Sequence, residues 1–245
     1  MTDKNINALS ILKKANIFDV LFFATFITCI VFSILKERAE LIYISPIVVV
    51  TILLKYISLT KKNANVLFII TLLSQIIANY LSFYSFQDYF TVISSLTGFY
   101  LLLYCIILRK YLHKIDLKKL ITLSVIIGCL LVGYVIYSVV SLIISYIPNH
   151  NIIYVLICAT CLFIYVIIFA RIFLNNNYEN TGLIFASGIA SLFSISLSPI
   201  NEYFFYSKTF TVLILICHYL SIYLFMKFIS ETNAEDKKII DKKYF

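Results

Sequence analysis

The chain has 245 residues, of which 62% are hydrophobic and only 13% are charged, and its formal net charge is +8. This balance is far from the average of soluble proteins and excludes a soluble globular fold. A membrane-spanning helix needs about 20 mainly apolar residues, and eight such helices would leave only loops and short tails. The sequence therefore predicts that any chemistry takes place inside a helical bundle or at its rim.

The positive charge does not indicate a nucleic-acid partner. The lysines and arginines form short clusters beside apolar segments, where they orient helices in a membrane, and not a basic surface on a soluble fold. All six cysteines fall inside apolar segments, where Cys158 and Cys161 form a CxxC motif without further metal ligands nearby. We interpret them as buried thiols and predict no disulfide framework, no metal site and no cofactor.

The apolar segments predict an all-α integral membrane protein with a bundle of eight transmembrane helices. Residues 1–16 form an N-terminal segment, residues 17–229 the transmembrane domain and residues 230–245 a charged tail. The helices are expected at residues 17–34, 41–59, 65–83, 90–108, 120–147, 152–174, 182–198 and 209–229. The fifth is the longest, and Pro148 is expected to end it. The N-terminus has no small-residue cleavage site, which favours a first helix that is retained.

The distribution of positive charge predicts the orientation of the bundle. Only Lys36, Arg38 and Lys208 of the 20 lysines and arginines lie on the side opposite the N-terminus. The positive-inside rule therefore places both termini in the cytoplasm and favours an even number of helices. Lys55, in the last turns of the second helix, is expected to extend its ammonium group to the membrane interface.

The acidic residues are as informative as the basic ones. All 12 fall near helix ends, in loops or in tails. This argues against a proton pump with a buried carboxylate relay and weakens the case for a hydrolase that needs a deep general acid.

Neutral polar residues occupy the deep positions instead. The candidate lining of an interior pocket consists of Gln75, Asn79, Ser187, Ser191, His218, Tyr219 and Tyr223. Ser187, Ser191, Ser194 and Ser198 share one helical face by their spacing. Each candidate also has a structural interpretation: the serines as a face for close helix contact, Gln75 and Asn79 as hydrogen bonds between helices, and His218 as a core histidine.

Three short motifs and the helix order carry a resemblance to a known family. They are GLIFASGIASLFSI in the seventh helix, CHYLSIYL in the eighth and TLLSQ in the third. Together they resemble the YhhN-like lysoplasmalogenase family of eight-helix membrane proteins. The resemblance implies an enzyme that cleaves the vinyl-ether bond of a lysophospholipid and releases an aldehyde.

The chain departs from the family pattern at the positions that carry its acids. Gln75 stands where the family has an aspartate, and Ile189–Ala190 or Ser187–Gly188 stands in place of its Ser-Asp pair. Ser45–Pro46 replaces a Lys-Pro pair, and Leu103 or Tyr104 stands where the family has a histidine. Vinyl-ether hydrolysis needs a proton donor and an activated water, which glutamine and alanine cannot supply.

We therefore expect a divergent, catalytically impaired relative, in which His218 and Tyr219 are the candidates for any surviving catalysis. A non-catalytic lipid-binding protein is the alternative, and a small-molecule transporter is a weaker one because no site for a coupling ion is visible. The expected partners are membrane lipids, including a single-chain lysolipid. The asparagine-, isoleucine- and lysine-rich composition favours a bacterial inner membrane.

Overall fold

The computed structural model describes residues 17–35, 40–112, 123–148 and 151–233. Within these ranges the chain forms eight long helices: α1 (Ile17–Leu35), α2 (Leu41–Thr60), α3 (Val66–Ser85), α4 (Phe90–Leu108), α5 (Leu123–Ile144), α6 (Ile152–Asn175), α7 (Thr181–Tyr203) and α8 (Lys208–Glu231). Short 3₁₀ turns follow α2 at Lys61–Asn63 and α4 at Arg109–Tyr111.

All eight helices are long and apolar enough to cross a membrane, and the described ranges contain no β-strand. The predicted all-α fold of a multi-pass integral membrane protein is therefore confirmed. Both termini lie outside the described residues, so their cytoplasmic location stays a prediction. We call the end of the bundle at which α1 begins the amino end, and the opposite end the far end.

Most helix boundaries agree with the prediction to within two residues, but α7 continues through Pro199 to Tyr203 and not only to residue 198. Two other differences have local reasons. Helix α5 ends at Ile144 and not at Ile147, because the residue before Pro148 is disfavoured in helical conformation. The Tyr146 N–H instead bonds the Ile143 carbonyl at 2.9 Å in a turn. The predicted start of this helix, residues 120–122, lies outside the described residues.

Helix α3 begins one residue later than predicted, since Asn65 caps it. The Asn65 side-chain oxygen accepts a hydrogen bond from the Leu67 N–H at 2.9 Å. This satisfies one of the amide groups that have no partner within the helix.

Helix α8 lies at the centre of the arrangement. It packs along α7 over most of its length and also contacts α1 and α2. The pairs α1–α2, α2–α3, α3–α4, α4–α6 and α6–α7 pack in succession around it, whereas α5 lies at the periphery against α6 and α7. Side chains on α8 can therefore meet partners from most of the bundle.

Buried aromatic rings hold the interior together. The Phe225 ring of α8 stacks on Tyr104 of α4 with centroids 3.9 Å apart, and on Phe68 of α3 at 5.7 Å. Tyr165 of α6 lies 5.7 Å from Tyr104. The sequence contains no tryptophan, so tyrosine and phenylalanine provide this large apolar contact area.

A glycine permits the close contact between α6 and α7. Gly188 lies against the buried ring of Phe169, and a Cβ atom at this position would be 2.3 Å from two ring carbons. Small residues let membrane helices approach closely in this way.

We therefore expect Gly188→Ala to destabilise the bundle, because the added methyl group must displace the Phe169 ring. Overpacking of this kind costs roughly 1–3 kcal/mol. Thermal unfolding in detergent measures the effect. Gly182→Ala is the matched control on the same helix, since a Cβ there has no neighbour within 4 Å. Equal unfolding temperatures for the two variants would contradict the close contact at Gly188.

Candidate functional site

The candidate residues lie at several helix interfaces, and Gln75 is at the one between α3 and α4. Its side-chain Nε2 donates a hydrogen bond to the Tyr104 hydroxyl at 3.0 Å. Its Oε1 atom has no hydrogen-bond partner among the described residues. Both side chains are buried, so this bond ties two helices together inside the bundle.

Ser187 and Ser191 bind α7 to α8. The Ser187 hydroxyl donates to the Ser221 carbonyl at 2.8 Å, and the Ser191 hydroxyl is hydrogen-bonded to the Ser221 hydroxyl. All three serines are buried. This half of the serine face combines close helix contact with hydrogen bonds between helices.

The two candidate tyrosines of α8 bond to other helices. The Tyr219 hydroxyl donates to the Ser45 hydroxyl of α2 at 2.7 Å. The Tyr223 hydroxyl donates to the Asp19 carboxylate of α1 at 2.8 Å. These bonds fix α8 against the first two helices.

An ion pair lies between α1 and α2 near the amino end. Lys55 is only 5% exposed, and its ammonium group is hydrogen-bonded to the Asp19 carboxylate. It also donates to the Tyr223 hydroxyl at 2.7 Å and lies 4.3 Å from the centre of that ring. The Lys55 ammonium group therefore points into the bundle. Our expectation from the sequence, that it extends to the membrane interface, was wrong.

A signal for this pair is present in the sequence, although the expectation for Lys55 did not take account of it. Asp19 is the third residue of α1, and Lys55 lies five residues before the end of α2. In an antiparallel helix pair, these positions fall at similar depths. An acid and a base at matching depths near a membrane interface are good candidates for pairing.

Asn79 and His218 are brought together from α3 and α8. The Asn79 Nδ2 atom lies 3.0 Å from the His218 Nε2 atom, and both side chains are partly buried. Because an amide nitrogen only donates, Nε2 accepts in this arrangement. The other ring nitrogen, Nδ1, then carries the proton of a neutral imidazole and can donate a hydrogen bond.

His218 also lines a cavity of about 130 Å³ in the half of the bundle nearer the far end. We call it the interior cavity. One wall is apolar and comes mainly from α5 and α6. The other carries neutral polar groups, and the polar lining residues are Ser82, Ser94, Thr97, Tyr100, Ser194, Ser196, Ser198 and His218. No charged residue is among the lining residues.

The cavity draws on only part of the predicted residue set. Of the candidates, His218 lines it, and Asn79 reaches it through the hydrogen bond to His218. The serine face contributes Ser194 and Ser198, about one and two turns beyond Ser191. Ser94 is absent from the predicted set, since the sequence does not show which of the neighbouring residues Ser94, Ser95 and Thr97 face the interior.

The described side chains offer no group of three or more His, Cys, Asp or Glu residues that could hold a metal ion. The polar groups of the interior cavity are hydroxyls and one imidazole. They suit hydrogen bonding to a neutral molecule.

No family model, no curated protein and no solved structure matches the chain. The resemblance to the YhhN-like lysoplasmalogenase family therefore stays a prediction from the sequence motifs.

The ion pair near the amino end leads to an asymmetric prediction for stability. Asp19→Ala leaves the buried Lys55 ammonium without its counter-ion, and we expect a loss of roughly 3 kcal/mol, as for other broken buried pairs. Lys55→Met should cost less, because the Asp19 side chain is 25% exposed and keeps its bond to Tyr223. The double variant should be more stable than Asp19→Ala alone. Denaturant titration in mixed micelles measures all three.

The control is the exposed pair Lys227 and Glu231 at the end of α8, with nitrogen and oxygen 3.9 Å apart. Lys227→Ala should change the free energy of unfolding by less than about 0.5 kcal/mol. Strictly additive losses in the double variant of Asp19 and Lys55 would argue against a coupled pair.

Proposed function

We propose that this protein is a lipid-binding protein of the bacterial inner membrane, with both termini in the cytoplasm, that holds a single-chain lipid in the interior cavity. The observation that carries this proposal is an apolar cavity inside a membrane bundle with a single polar wall that includes His218. Ligand sites commonly combine an apolar lining with a few convergent polar groups.

The size of the cavity supports a hydrocarbon ligand. Its volume of about 130 Å³ is close to that of an engineered apolar cavity of about 150 Å³ that binds benzene. A segment of an acyl chain fits such a space. The remainder of the chain would extend out of the cavity towards the bilayer.

The arrangement of α5 supports access from the bilayer. Ile136, Val139, Val140 and Ile143 of α5 form part of the cavity wall. Yet α5 packs only lightly on α6 and α7, and its contact with α4 is slight. A hydrocarbon chain could pass between α4 and α5 without exposing polar groups to lipid.

Binding can be tested with one substitution that fills the cavity. Ala159 of α6 lines the interior cavity, whereas the next residue, Thr160, is exposed. We expect Ala159→Phe to reduce labelling by a photoactivatable single-chain lipid at least fivefold, while Thr160→Phe leaves it unchanged. Labelled peptides identified by mass spectrometry should come from α4, α5 and α6. Equal labelling of both variants would contradict binding in the cavity.

Hydrolysis of a lysolipid vinyl ether is the second candidate, and one observation favours it. The Asn79 amide orients the His218 imidazole at the cavity wall, as a third group orients a catalytic base in other enzymes. Against it, the Nε2 lone pair is already engaged by Asn79, and no carboxylic acid lines the cavity. The transfer of a proton to the alkenyl carbon therefore lacks an obvious donor.

We accordingly expect purified protein to release no long-chain aldehyde from lysoplasmenyl lipid above the background of a Gln75→Leu and His218→Ala double variant. Derivatised aldehyde measured by mass spectrometry provides the assay. Sustained aldehyde release that disappears in His218→Ala but survives in Tyr223→Phe would favour the enzyme over the binding protein.

A further inference from the structure

Two polar residues of the interior cavity lie deep in the membrane-spanning region. His218 is ten residues into α8, and Ser194 is nine residues before the end of α7. At 1.5 Å per residue, these positions are about 14–15 Å from the far end of their helices. A hydrocarbon core is about 30 Å thick, so both groups lie near its middle.

An aromatic cluster lies at the far end of the cavity. It consists of Phe86, Phe90 and Tyr203, with ring centroids 5.7–5.9 Å apart. Phe90 packs with Ile143 of α5 in the same hydrophobic cluster. Serines also line the cavity within five residues of the far helix ends, namely Ser82, Ser94 and Ser198. The hydrogen-bonding groups therefore extend from the rim to the middle of the membrane-spanning region.

Two buried serines of the cavity lining have hydroxyls without a partner. Ser94 and Ser194 line the cavity, are 7% and 5% exposed, and make no hydrogen bond within the described part of the chain. Several other serines of the bundle bond to a carbonyl one turn back, as Ser74 does to Ile70 at 2.7 Å. Because a buried hydroxyl without a partner is unfavourable, these two groups indicate a polar ligand atom in the cavity.

Pro199 provides an additional acceptor on the same wall. It lies inside α7 and has no N–H, so the carbonyl of Ile195 lacks its usual donor four residues later. Ile195 and Pro199 both line the cavity. The cavity lining thus includes two hydroxyls and the His218 imidazole, and the Ile195 carbonyl belongs to the same helix as Ser194.

From these polar groups, and resting on the proposed function, we infer that the ligand is an uncharged single-chain lipid with a hydroxyl-bearing end, such as a monoacylglycerol or a long-chain alcohol, bound with that end beside Ser194 and His218. A hydroxyl group both donates and accepts, which matches the carbonyl of Ile195 and the donors of Ser194 and His218. A charged headgroup at this depth would have no counter-ion, because no charged side chain lines the cavity.

Competition binding separates neutral from charged ligands. The probe is a photoactivatable monoacylglycerol bound to the full-length protein in detergent. The competitors share one chain length: a long-chain alcohol, a lysophosphatidylcholine and a fatty acid at pH 8. We expect the alcohol to compete at a concentration at least tenfold lower than either charged lipid. Equal or better competition by a charged lipid would overturn the inference.

Substitution of Pro199 tests whether the Ile195 carbonyl binds the ligand. Pro199→Ala restores an N–H to the helix, and we expect roughly a three- to tenfold loss of affinity, the worth of about one hydrogen bond. Pro46→Ala is the matched control, a helix-interior proline of α2 that does not line the cavity. Ser94→Ala against Ser95→Ala adds a second comparison, since Ser95 is exposed and bonds the Thr91 carbonyl.

The inference and the proposed function fail in different ways. If the charged lysolipid binds best and Ala159→Phe abolishes that binding, the neutral-ligand inference is wrong while the lipid-binding proposal stands. If no single-chain lipid binds and Ala159→Phe changes nothing, both are wrong. Unchanged affinity in both Pro199→Ala and Ser94→Ala would also overturn the proposed role of the deep polar wall.

Discussion

Hydrocarbon offers a polar side chain no hydrogen-bonding partner, so a membrane bundle must pair its polar groups internally or leave them to a ligand. Helix α8 illustrates the first solution. Four of its polar residues bond to other helices: His218 to α3, Tyr219 to α2, Ser221 to α7 and Tyr223 to α1 and α2. Hydrogen bonds thereby fix the position of the central helix, together with its aromatic contacts.

The same constraint separates two uses of one serine face. Ser187 and Ser191 are satisfied by α8 and hold two helices together. Ser194 lies on the same face but reaches the interior cavity, where the described residues give it no partner. Identical residue types at regular spacing therefore serve different purposes, and the difference lies only in what stands opposite each of them.

The need for a partner opposite each polar group explains how much of the structure could be predicted from the sequence. Length and hydropathy are properties of single segments, so the eight helices and most of their boundaries were predictable. Contacts between helices depend on rotation and neighbours, which one sequence does not encode in a readable way. The link between Asn79 and His218 joins residues 139 positions apart. The burial of Lys55 could have been suspected from its depth beside Asp19, but its bond to Tyr223 could not.

The contacts that hold the helices together are distributed unevenly along the bundle, and this leaves room for a site near its centre. Near the amino end, the ion pair of Asp19 and Lys55 and the ring stack of Tyr104 on Phe225 bind four helices to one another. His218 lies between this anchored region and the interior cavity, so its position is fixed before a ligand arrives. The opposite cavity wall comes partly from α5, which has few neighbours. The polar wall is fixed by many contacts and can orient the polar end of a lipid. The apolar wall is held by few contacts and can admit the hydrocarbon chain.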